Sequence, residues 1–145
     1  MKEKRILLVE DNASDEALTL RAFSKVNLTN AVVVVRDGQQ ALDYLFHEGE
    51  FATAPDHGLP VVVLLDIALP RVNGLEVLDR IRKNPRTKLL PVVILSSSDE
   101  DRDKLRSYES GANSFIRKPV AFAEFAEVVA RLGVYWFATN APPLS

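Results

Sequence analysis

The chain has 145 residues, 26% of them charged, a formal net charge of -2 at pH 7 and no cysteine. This length suits one domain with one core, and the slightly acidic balance argues against a surface built for nucleic acid. Disulfides and thiolate metal sites are excluded, and no apolar run is long enough for a signal sequence or a membrane span. We therefore expect a single-domain cytoplasmic protein.

The first part of the chain alternates short apolar runs with helical patterns. Residues 6–9 predict a buried strand that ends in an acidic pair. Cap-forming and acidic side chains over 12–16 then predict the start of a helix. Residues 31–35 predict a second strand, and apolar spacing over 41–46 predicts a second helix. We expect the following stretch, 47–60, to be a long surface loop because it has no periodicity.

The central strand is predicted by the apolar run over 61–65, which Asp66 ends. Continuous apolar runs of this kind are typical of strands buried on both faces of a parallel sheet. Residues 73–76 resemble a capping box and open a third helix. Basic residues surround the end of that helix, and we interpret them as a solvated helix face rather than a nucleic-acid-binding surface. These residues are Arg80, Arg82, Lys83, Arg86 and Lys88.

The last part of the chain predicts two more strands, at 91–95 and 113–117, with a helix between them. Either Ser97 with Glu100 or Ser98 with Asp101 is suited to cap that helix. A final helix begins near Phe122. Strands thus alternate with helices five times, which predicts an α/β fold with a doubly wound parallel sheet and right-handed crossovers.

Chemically active side chains follow the strands at their carboxyl ends, where ligands bind in such sheets. Singly, each is usually a loop residue or a helix cap. Together they indicate a site, because clustered carboxylates repel one another by about 4 kcal/mol per pair at an effective dielectric constant of about 20 and need a cation nearby. A Mg²⁺ ion would relieve that repulsion, and an ammonium and a hydroxyl suit phosphoryl oxygens. The residues are Glu10, Asp11, Asp66, Ser96 and Lys118.

With these residues in place, the chain resembles the receiver domain of bacterial two-component response regulators. The matching motifs are LVED over 8–11, LDIALP over 65–70 followed by NG over 73–74, ILS over 94–96 and IRKP over 116–119. The resemblance extends from about residue 6 to about residue 132. It implies a flavodoxin-like fold with five parallel strands in the order 2-1-3-4-5.

The resemblance also implies a role for each strand-end residue. Asp66 would accept a phosphoryl group from the phosphohistidine of a sensor histidine kinase. Mg²⁺ would be held by Glu10, Asp11, Asp66 and the backbone carbonyl of Ala68. We therefore expect a phosphoacceptor that is not an enzyme beyond slow self-dephosphorylation of Asp66.

Ser96 and Lys118 would bind the phosphoryl oxygens, and Lys118 would be joined to Pro119 by a cis peptide bond. Ser96 would also take part in switching, together with Phe115, which stands where the family has a rotating aromatic residue. A fixed core aromatic is the competing interpretation of Phe115. Because it lacks a hydroxyl, its readout would depend on packing alone.

Two other phosphate-handling classes are disfavoured by the residues. Haloacid dehalogenase-like phosphatases use Asp-x-Asp at a similar strand end, but the second position here is Ala68, which cannot carry a proton. Nucleotide-binding flavodoxin-like proteins would need a glycine-rich phosphate loop after the first strand, and the sequence has none there.

The loop over 47–60, the segment over 106–111 and the aromatic tail resemble stand-alone regulators paired with phytochrome-type kinases. Because the chain ends soon after the last helix, we expect output through protein contacts rather than through DNA. Two alternatives stay open at this point: a phosphorylation-independent scaffold, and a phosphorelay intermediate for a non-phytochrome kinase.

The tail beyond the expected core, about 5–132, is rich in aromatic residues. We expect this extension, 133–145, to take part in a homodimer contact in which the last helix and the side of the fourth strand pair about a twofold axis. The alternative is that it folds back onto its own chain. No membrane or nucleic-acid partner is expected. The surface residues concerned are Phe122, Tyr135, Trp136 and Phe137.

Overall fold

A computed structural model describes residues 4–55, 58–97, 101–118 and 121–142. Five parallel strands form one sheet in the order β2-β1-β3-β4-β5. This confirms the predicted fold class and strand order. The strands are β1 Ile6–Val9, β2 Val32–Val35, β3 Val62–Leu65, β4 Val92–Ser96 and β5 Ser114–Arg117.

Five α-helices connect and follow these strands. Short 3-10 turns lie at Thr29–Ala31 and Gly49–Phe51, and a π-helical stretch at Tyr135–Thr139 continues the last helix. The turn at Gly49–Phe51 lies inside the stretch predicted to be a plain loop, and it is held by an edge-on contact of the Phe51 and Tyr44 rings. The α-helices are α1 Ala13–Ser24, α2 Gly38–Phe46, α3 Gly74–Lys83, α4 Asp101–Glu109 and α5 Phe122–Val134.

Two apolar cores cover the two faces of the sheet. Successive side chains of a strand point to opposite faces, so Leu7 and Val63 join α2 and α3 in one core. Ile6 and Leu64 join α1 and α5 in the other. Because both faces are covered, the strands read as continuous apolar runs in the sequence.

Side chains at the carboxyl edge of the sheet cap three of the helices. Asn12 Oδ1 accepts from the Asp15 N–H at 3.0 Å, and Asn73 Oδ1 accepts from the Glu76 N–H at 3.0 Å. These caps are the ones predicted for α1 and α3. Asp37 caps α2 in the same way. Both predicted caps for α4 involve positions in 98–100, which lie outside the described residues.

Arg82 corrects the interpretation of the basic cluster as a fully solvated face. Its guanidinium donates to the carbonyls of Gly111 at 2.8 Å and Leu90 at 2.7 Å. It also donates to the Lys88 carbonyl at 3.2 Å and to Asn113 Oδ1 at 3.0 Å. Burial lowers the pKa of Arg82 from its ordinary value. Arg82 therefore ties α3 to the amino ends of β4 and β5.

The aromatic tail packs in part on its own chain. Trp136 and Phe137 are half-buried against the core on the α1 and α5 face, and Lys4 Nζ donates to the Phe137 carbonyl at 3.0 Å. Tyr135 stays 48% exposed. The fold-back interpretation thus holds for two of these rings, while the side chain of Phe122 lies outside the described residues. None of the helices in the described ranges is both long and apolar enough to cross a membrane.

Candidate functional site

An acidic cluster lies at the carboxyl edge of the sheet, where β1 and β3 end side by side. Glu10, Asp11 and Asp66 each offer a carboxylate oxygen, and these oxygens lie within 4.8 Å of one another. The sheet fixes the backbone of two of these residues, since the Glu10 N–H donates to the Val35 carbonyl and the Asp66 N–H donates to the Val9 carbonyl. Glu10 and Asp66 are buried, whereas Asp11 is exposed at the mouth.

Lys118 brings an ammonium into this cluster from the end of β5. Its Nζ lies 2.5 Å from Glu10 Oε1, 2.9 Å from Asp15 Oδ2 and 3.1 Å from Asp66 Oδ2. Its backbone N–H donates to the Ser96 carbonyl at 2.7 Å, which fixes the end of β5 against that of β4. The ammonium is therefore aimed at the carboxylate of Asp66 from a fixed point of the backbone.

Burial and charge shift the pKa of two groups in the site. Burial raises the pKa of Glu10 to about 7, opposed by Lys118 and reinforced by the nearby charge of Asp66. For Lys118, burial alone would lower the pKa. Hydrogen bonds to Glu10 and Asp15 and the charges of Asp66 and Glu10 outweigh it, so the pKa of Lys118 is raised. Lys118 is thus an ammonium at neutral pH.

Asp15 is a site residue that the sequence analysis missed. The sequence indicates it only as an acid in the first turn of α1, where it favours the helix dipole. In the structure its carboxylate reaches the Lys118 ammonium. Its position one helical turn beyond the acidic pair that ends β1 places it near the same edge of the sheet, but that spacing does not say which way its side chain faces.

Close packing fixes the backbone that follows Asp66. The Gly74 N–H donates to the Ile67 carbonyl at 2.8 Å, and a Cβ at Gly74 would lie 2.2 Å from the Asp66 carbonyl oxygen. The N-terminus of α3 can approach this closely only because residue 74 is glycine. The Ala68 N–H donates to Asp66 Oδ1 at 3.1 Å. Both carboxylate oxygens of Asp66 therefore have a donor, Ala68 for one and Lys118 for the other.

The N-terminus of α2 contacts the same loop, the one that follows Asp66. A Cβ at Gly38 would lie 1.7 Å from the Val72 carbonyl oxygen, so α2 also starts in backbone contact with this segment. Asp37, the cap of α2, accepts from Arg71 at 3.3 Å, and Arg71 has a φ of 66°. The loop that carries Asp66 and Ala68 is thus held between two helix N-termini.

The two candidate switch residues lie on neighbouring strands. Ser96 is the last residue of β4 and is buried. Phe115 lies on β5 beside Ile94 and is half-buried against the core on the α2 and α3 face. Ser96 thus lies at the same edge as Asp66, and Phe115 lies one layer deeper. The peptide bond between Lys118 and Pro119 lies outside the described residues.

The arrangement combines the oxygen ligands of a divalent-cation site with a buried carboxylate that is paired with an ammonium. Hard divalent cations prefer oxygen ligands, and Glu10, Asp11 and Asp66 offer only oxygens. An ammonium beside a carboxylate suits a phosphoryl group more than a carbonyl substrate, since several anionic oxygens must be neutralised together. The site is therefore equipped to receive a phosphoryl group on a carboxylate.

Residues 6–130 match the family described as response regulator receiver domain. The chain belongs to this family. It is a phosphoacceptor of two-component signalling, and receiver domains interact with sensor histidine kinases. The resemblance that the strand-end motifs predicted is confirmed.

Two relatives are similar along most of their length. The chain is 41% identical to the probable methanogenesis regulatory protein FilR2 of Methanothrix harundinacea, over 95% of this chain and 86% of that protein. It is 33% identical to the response regulator Rcp1 of Synechocystis, over 97% of this chain and 93% of that protein.

Solved structures of similar proteins cover nearly the whole chain. The crystal structure of the phosphorylated cyanobacterial phytochrome response regulator RcpA has a TM-score of 0.88 and 38% identity, covering 97% of this chain and 99% of that chain. The Mn²⁺-bound form of Rcp1 has a TM-score of 0.87 and 33% identity, with the same coverage. The bacteriophytochrome response regulator AtBRR has a TM-score of 0.75 and 50% identity, covering 96% of this chain and 99% of that chain.

Proposed function

We propose that Asp66 is the phosphoacceptor of this receiver domain. A carboxylate oxygen of Asp66 would attack the phosphorus of a kinase phosphohistidine, so that a P–O bond forms as the P–N bond to the imidazole breaks. The observation that carries this assignment is the 3.1 Å contact between Lys118 Nζ and Asp66 Oδ2 inside the acidic cluster. A charged ammonium at that oxygen is in position to neutralise an incoming phosphoryl group.

The neighbouring residues divide the remaining work. Ser96 and Lys118 would hold phosphoryl oxygens, one by a hydroxyl and one by charge. Mg²⁺ would be held by Glu10, Asp11, Asp66 and the Ala68 carbonyl, and when bound it would neutralise negative charge on the carboxylates and the phosphoryl oxygens. The oxygen-only cluster supports a divalent cation, and Rcp1 has been solved with Mn²⁺.

Hydrolysis of the acyl phosphate should be slow and unassisted. The residue two positions after Asp66 is Ala68, whose side chain is exposed and has no group to activate a water molecule. The phosphorylated state would therefore last long enough to be read by a partner, and the chain would not act as a dedicated phosphatase.

Switching would couple Ser96 to Phe115. As Ser96 turns toward the phosphoryl group, it would vacate space beside β4, and the half-buried ring of Phe115 would pack inward. Replacing Phe115 with alanine should leave Asp66 phosphorylation intact but weaken partner binding that depends on it. Unchanged phosphorylation-dependent binding would exclude this role for Phe115.

A phytochrome-type histidine kinase is the proposed partner. RcpA and AtBRR are named as phytochrome and bacteriophytochrome response regulators, and each is similar to this chain over almost its full length. FilR2 carries a different name at 41% identity, so a non-phytochrome kinase is the alternative. Because phosphohistidine is made from ATP, we propose that this exchange takes place in the cytoplasm.

We also propose that residues 1–145 form one receiver domain and that two copies of it form a homodimer. We propose no nucleic-acid partner. Val134 and Tyr135 are 42% and 48% exposed at the end of α5, which supports an apolar contact there. Sedimentation of a Tyr135→Glu variant tests this more cleanly than truncation, because Trp136 and Phe137 keep their contacts with the core. A wild-type monomer, or a variant that stays dimeric, would exclude the contact.

Incubation with acetyl phosphate and Mg²⁺, followed by intact-mass measurement, tests the proposed function. The wild-type chain should gain the mass of one phosphoryl group, and the Asp66→Asn variant should gain none. A wild-type chain that stays unmodified while binding its partners would favour the phosphorylation-independent scaffold instead.

A further inference from the structure

The Lys118 ammonium has three N–H donors, and three carboxylates accept from it. These are Glu10, Asp15 and Asp66. Two of the three acceptors, Glu10 and Asp66, also belong to the candidate cation cluster. Asp15 is the acceptor outside that cluster among the residues that the structure describes. A cation and the ammonium thus compete for two carboxylates, while Asp15 is left to the ammonium.

Glu10 shows this competition most clearly. Its Oε1 accepts from Lys118 at 2.5 Å, and its Oε2 accepts from the Asn12 N–H at 3.3 Å. Both oxygens of Glu10 thus already accept a hydrogen bond, and a cation bound at Glu10 would draw its negative charge away from the Lys118 ammonium. The side chain of Lys118 is only 8% exposed. If it lost every carboxylate at once, a buried charge would remain without a partner, which is strongly unfavourable.

The position of Asp15 suits it to remain a partner of the Lys118 ammonium. Its N–H donates to Asn12 Oδ1 at 3.0 Å, and its carbonyl accepts from the buried hydroxyl of Thr19 at 2.7 Å. The backbone is therefore held from both sides in the first turn of α1. The side chain is 32% exposed, and its Oδ2 lies 2.9 Å from Lys118 Nζ. A fixed backbone and an accessible carboxylate suit an anchor that stays in place while other ligands exchange.

We propose that Asp15 is a positioning residue for the Lys118 ammonium. It would keep the ammonium beside Asp66 when Glu10 and Asp66 give up their hydrogen bonds to it and bind the cation and the phosphoryl group instead. This inference rests on the proposed function of Asp66. It adds that Lys118 needs one carboxylate outside the exchanging set. Without Asp15, a cation that engaged both Glu10 and Asp66 would leave the buried ammonium without a carboxylate of its own.

The test is a double-mutant cycle on Mg²⁺ affinity, measured by isothermal titration calorimetry. The Asp15→Asn variant keeps the cap by Asn12 and the bond from Thr19, since both use the backbone of residue 15. The matched control is Glu16→Gln, which removes a charge from the same turn of α1. Glu16 pairs with Arg36 rather than with Lys118. Both changes are repeated in a Lys118→Met background.

Asp15→Asn should weaken Mg²⁺ binding by about fivefold, the size expected of one charged pair at a partly exposed position. Glu16→Gln should change it by less than about twofold, because Glu16 is paired with the exposed guanidinium of Arg36 and not with the Lys118 ammonium. In the Lys118→Met background the effect of Asp15→Asn should disappear, since there is no ammonium to hold.

Three outcomes overturn the inference. One is equal affinity of the Asp15→Asn and Glu16→Gln variants. Another is the same loss with and without Lys118, which would make Asp15 a simple charge near the cation. The third is a wild-type chain that binds no Mg²⁺. Acyl-phosphate formation at Asp66, measured by mass on the same samples, reports separately on the proposed function.

Discussion

Lys118 and Arg82 are two cations at opposite edges of the same sheet, and they are held by different kinds of acceptor. At the carboxyl edge, Lys118 donates to three carboxylates. At the amino edge, Arg82 donates to the neutral oxygens of backbone carbonyls and one amide. Carboxylates can release an ammonium to take a metal ion, whereas neutral carbonyl oxygens carry no net charge to attract one. The first arrangement suits exchange, and the second suits permanent attachment.

The largest expected effect is on stability at the amino edge. Replacing Arg82 with leucine should lower the free energy of unfolding by about 3 kcal/mol, because several partly buried acceptors lose their donor. The rate of Asp66 phosphorylation in the folded protein should not change. Urea denaturation measures the first quantity, and intact mass measures the second.

Arg80→Leu is the matched control for that substitution. It lies on the same helix, but its guanidinium is exposed and contacts only Glu76 in the described part of the chain. An exposed pair of this kind contributes about 0.5 kcal/mol or less. If the Arg82 and Arg80 variants unfolded alike, the proposed attachment would be wrong.

The next largest effect is on chemistry at the carboxyl edge. Lys118→Met should slow acyl-phosphate formation from acetyl phosphate by about a hundredfold, which is typical for loss of one oriented charge at a reacting oxygen. At saturating Mg²⁺ the free energy of unfolding should change little, since the cation then neutralises the carboxylates. A time course of intact mass gives the rate, and a rate within twofold of wild type would contradict the role of Lys118.

A pH dependence should follow from the buried carboxyl group of Glu10. Its pKa is about 7 in the folded protein against an ordinary value of 4.5, so between these pH values the folded state holds more protons than the unfolded state. Without divalent cations, the free energy of unfolding should therefore fall as pH rises from about 4.5 to about 7, by at most about 1.4 kcal/mol per unit. Above that window the fall should stop.

The Glu10→Gln variant isolates this contribution. It keeps the shape of the side chain but cannot titrate, so the difference from wild type should change between pH 5 and pH 7 and then level off. Urea denaturation in the presence of a chelator gives the difference at each pH. A difference that is constant with pH would show that Glu10 keeps its ordinary pKa.

The smallest expected effect concerns the loop that Arg82 holds. Gly111 has a φ of 101°, and a Cβ there would lie 2.9 Å from Arg82 Nε. Gly111→Ala should therefore lower the free energy of unfolding by about 1 kcal/mol, mainly through backbone strain. Phosphorylation should be unaffected. An effect on Mg²⁺ affinity would mean that the two edges are coupled, contrary to the contrast between them.

The acidic cluster could be predicted from the sequence because it depends on topology. Residues that follow parallel strands converge at one edge, so Glu10, Asp66 and Lys118 meet whatever the details of packing. Asp15 could not be predicted in this way. Its contact depends on the rotation of α1 about its axis, which is set by packing against α5 and not by the spacing of acids.

The hydrogen-bond partners of Arg82 and the packing of the tail could not be predicted for a related reason. A basic residue at a helix end is usually solvated. Arg82 became a shared donor because the segment that follows α3 and the more distant segment around Gly111 both approach its guanidinium. The tail contains three adjacent aromatic residues, and periodicity does not say which of them face inward. The structure packs Trp136 and Phe137 on the core and leaves Tyr135 exposed.

The most direct test of the central claim is to locate the acyl phosphate. The chain is incubated with acetyl phosphate and Mg²⁺, reduced with borohydride, which converts a phosphorylated aspartate to homoserine, and analysed by peptide mass mapping. The account predicts homoserine at position 66 and no modification of Glu10, Asp11 or Asp15. Modification of any of those three in place of Asp66, or no modification of the chain at all, would contradict it.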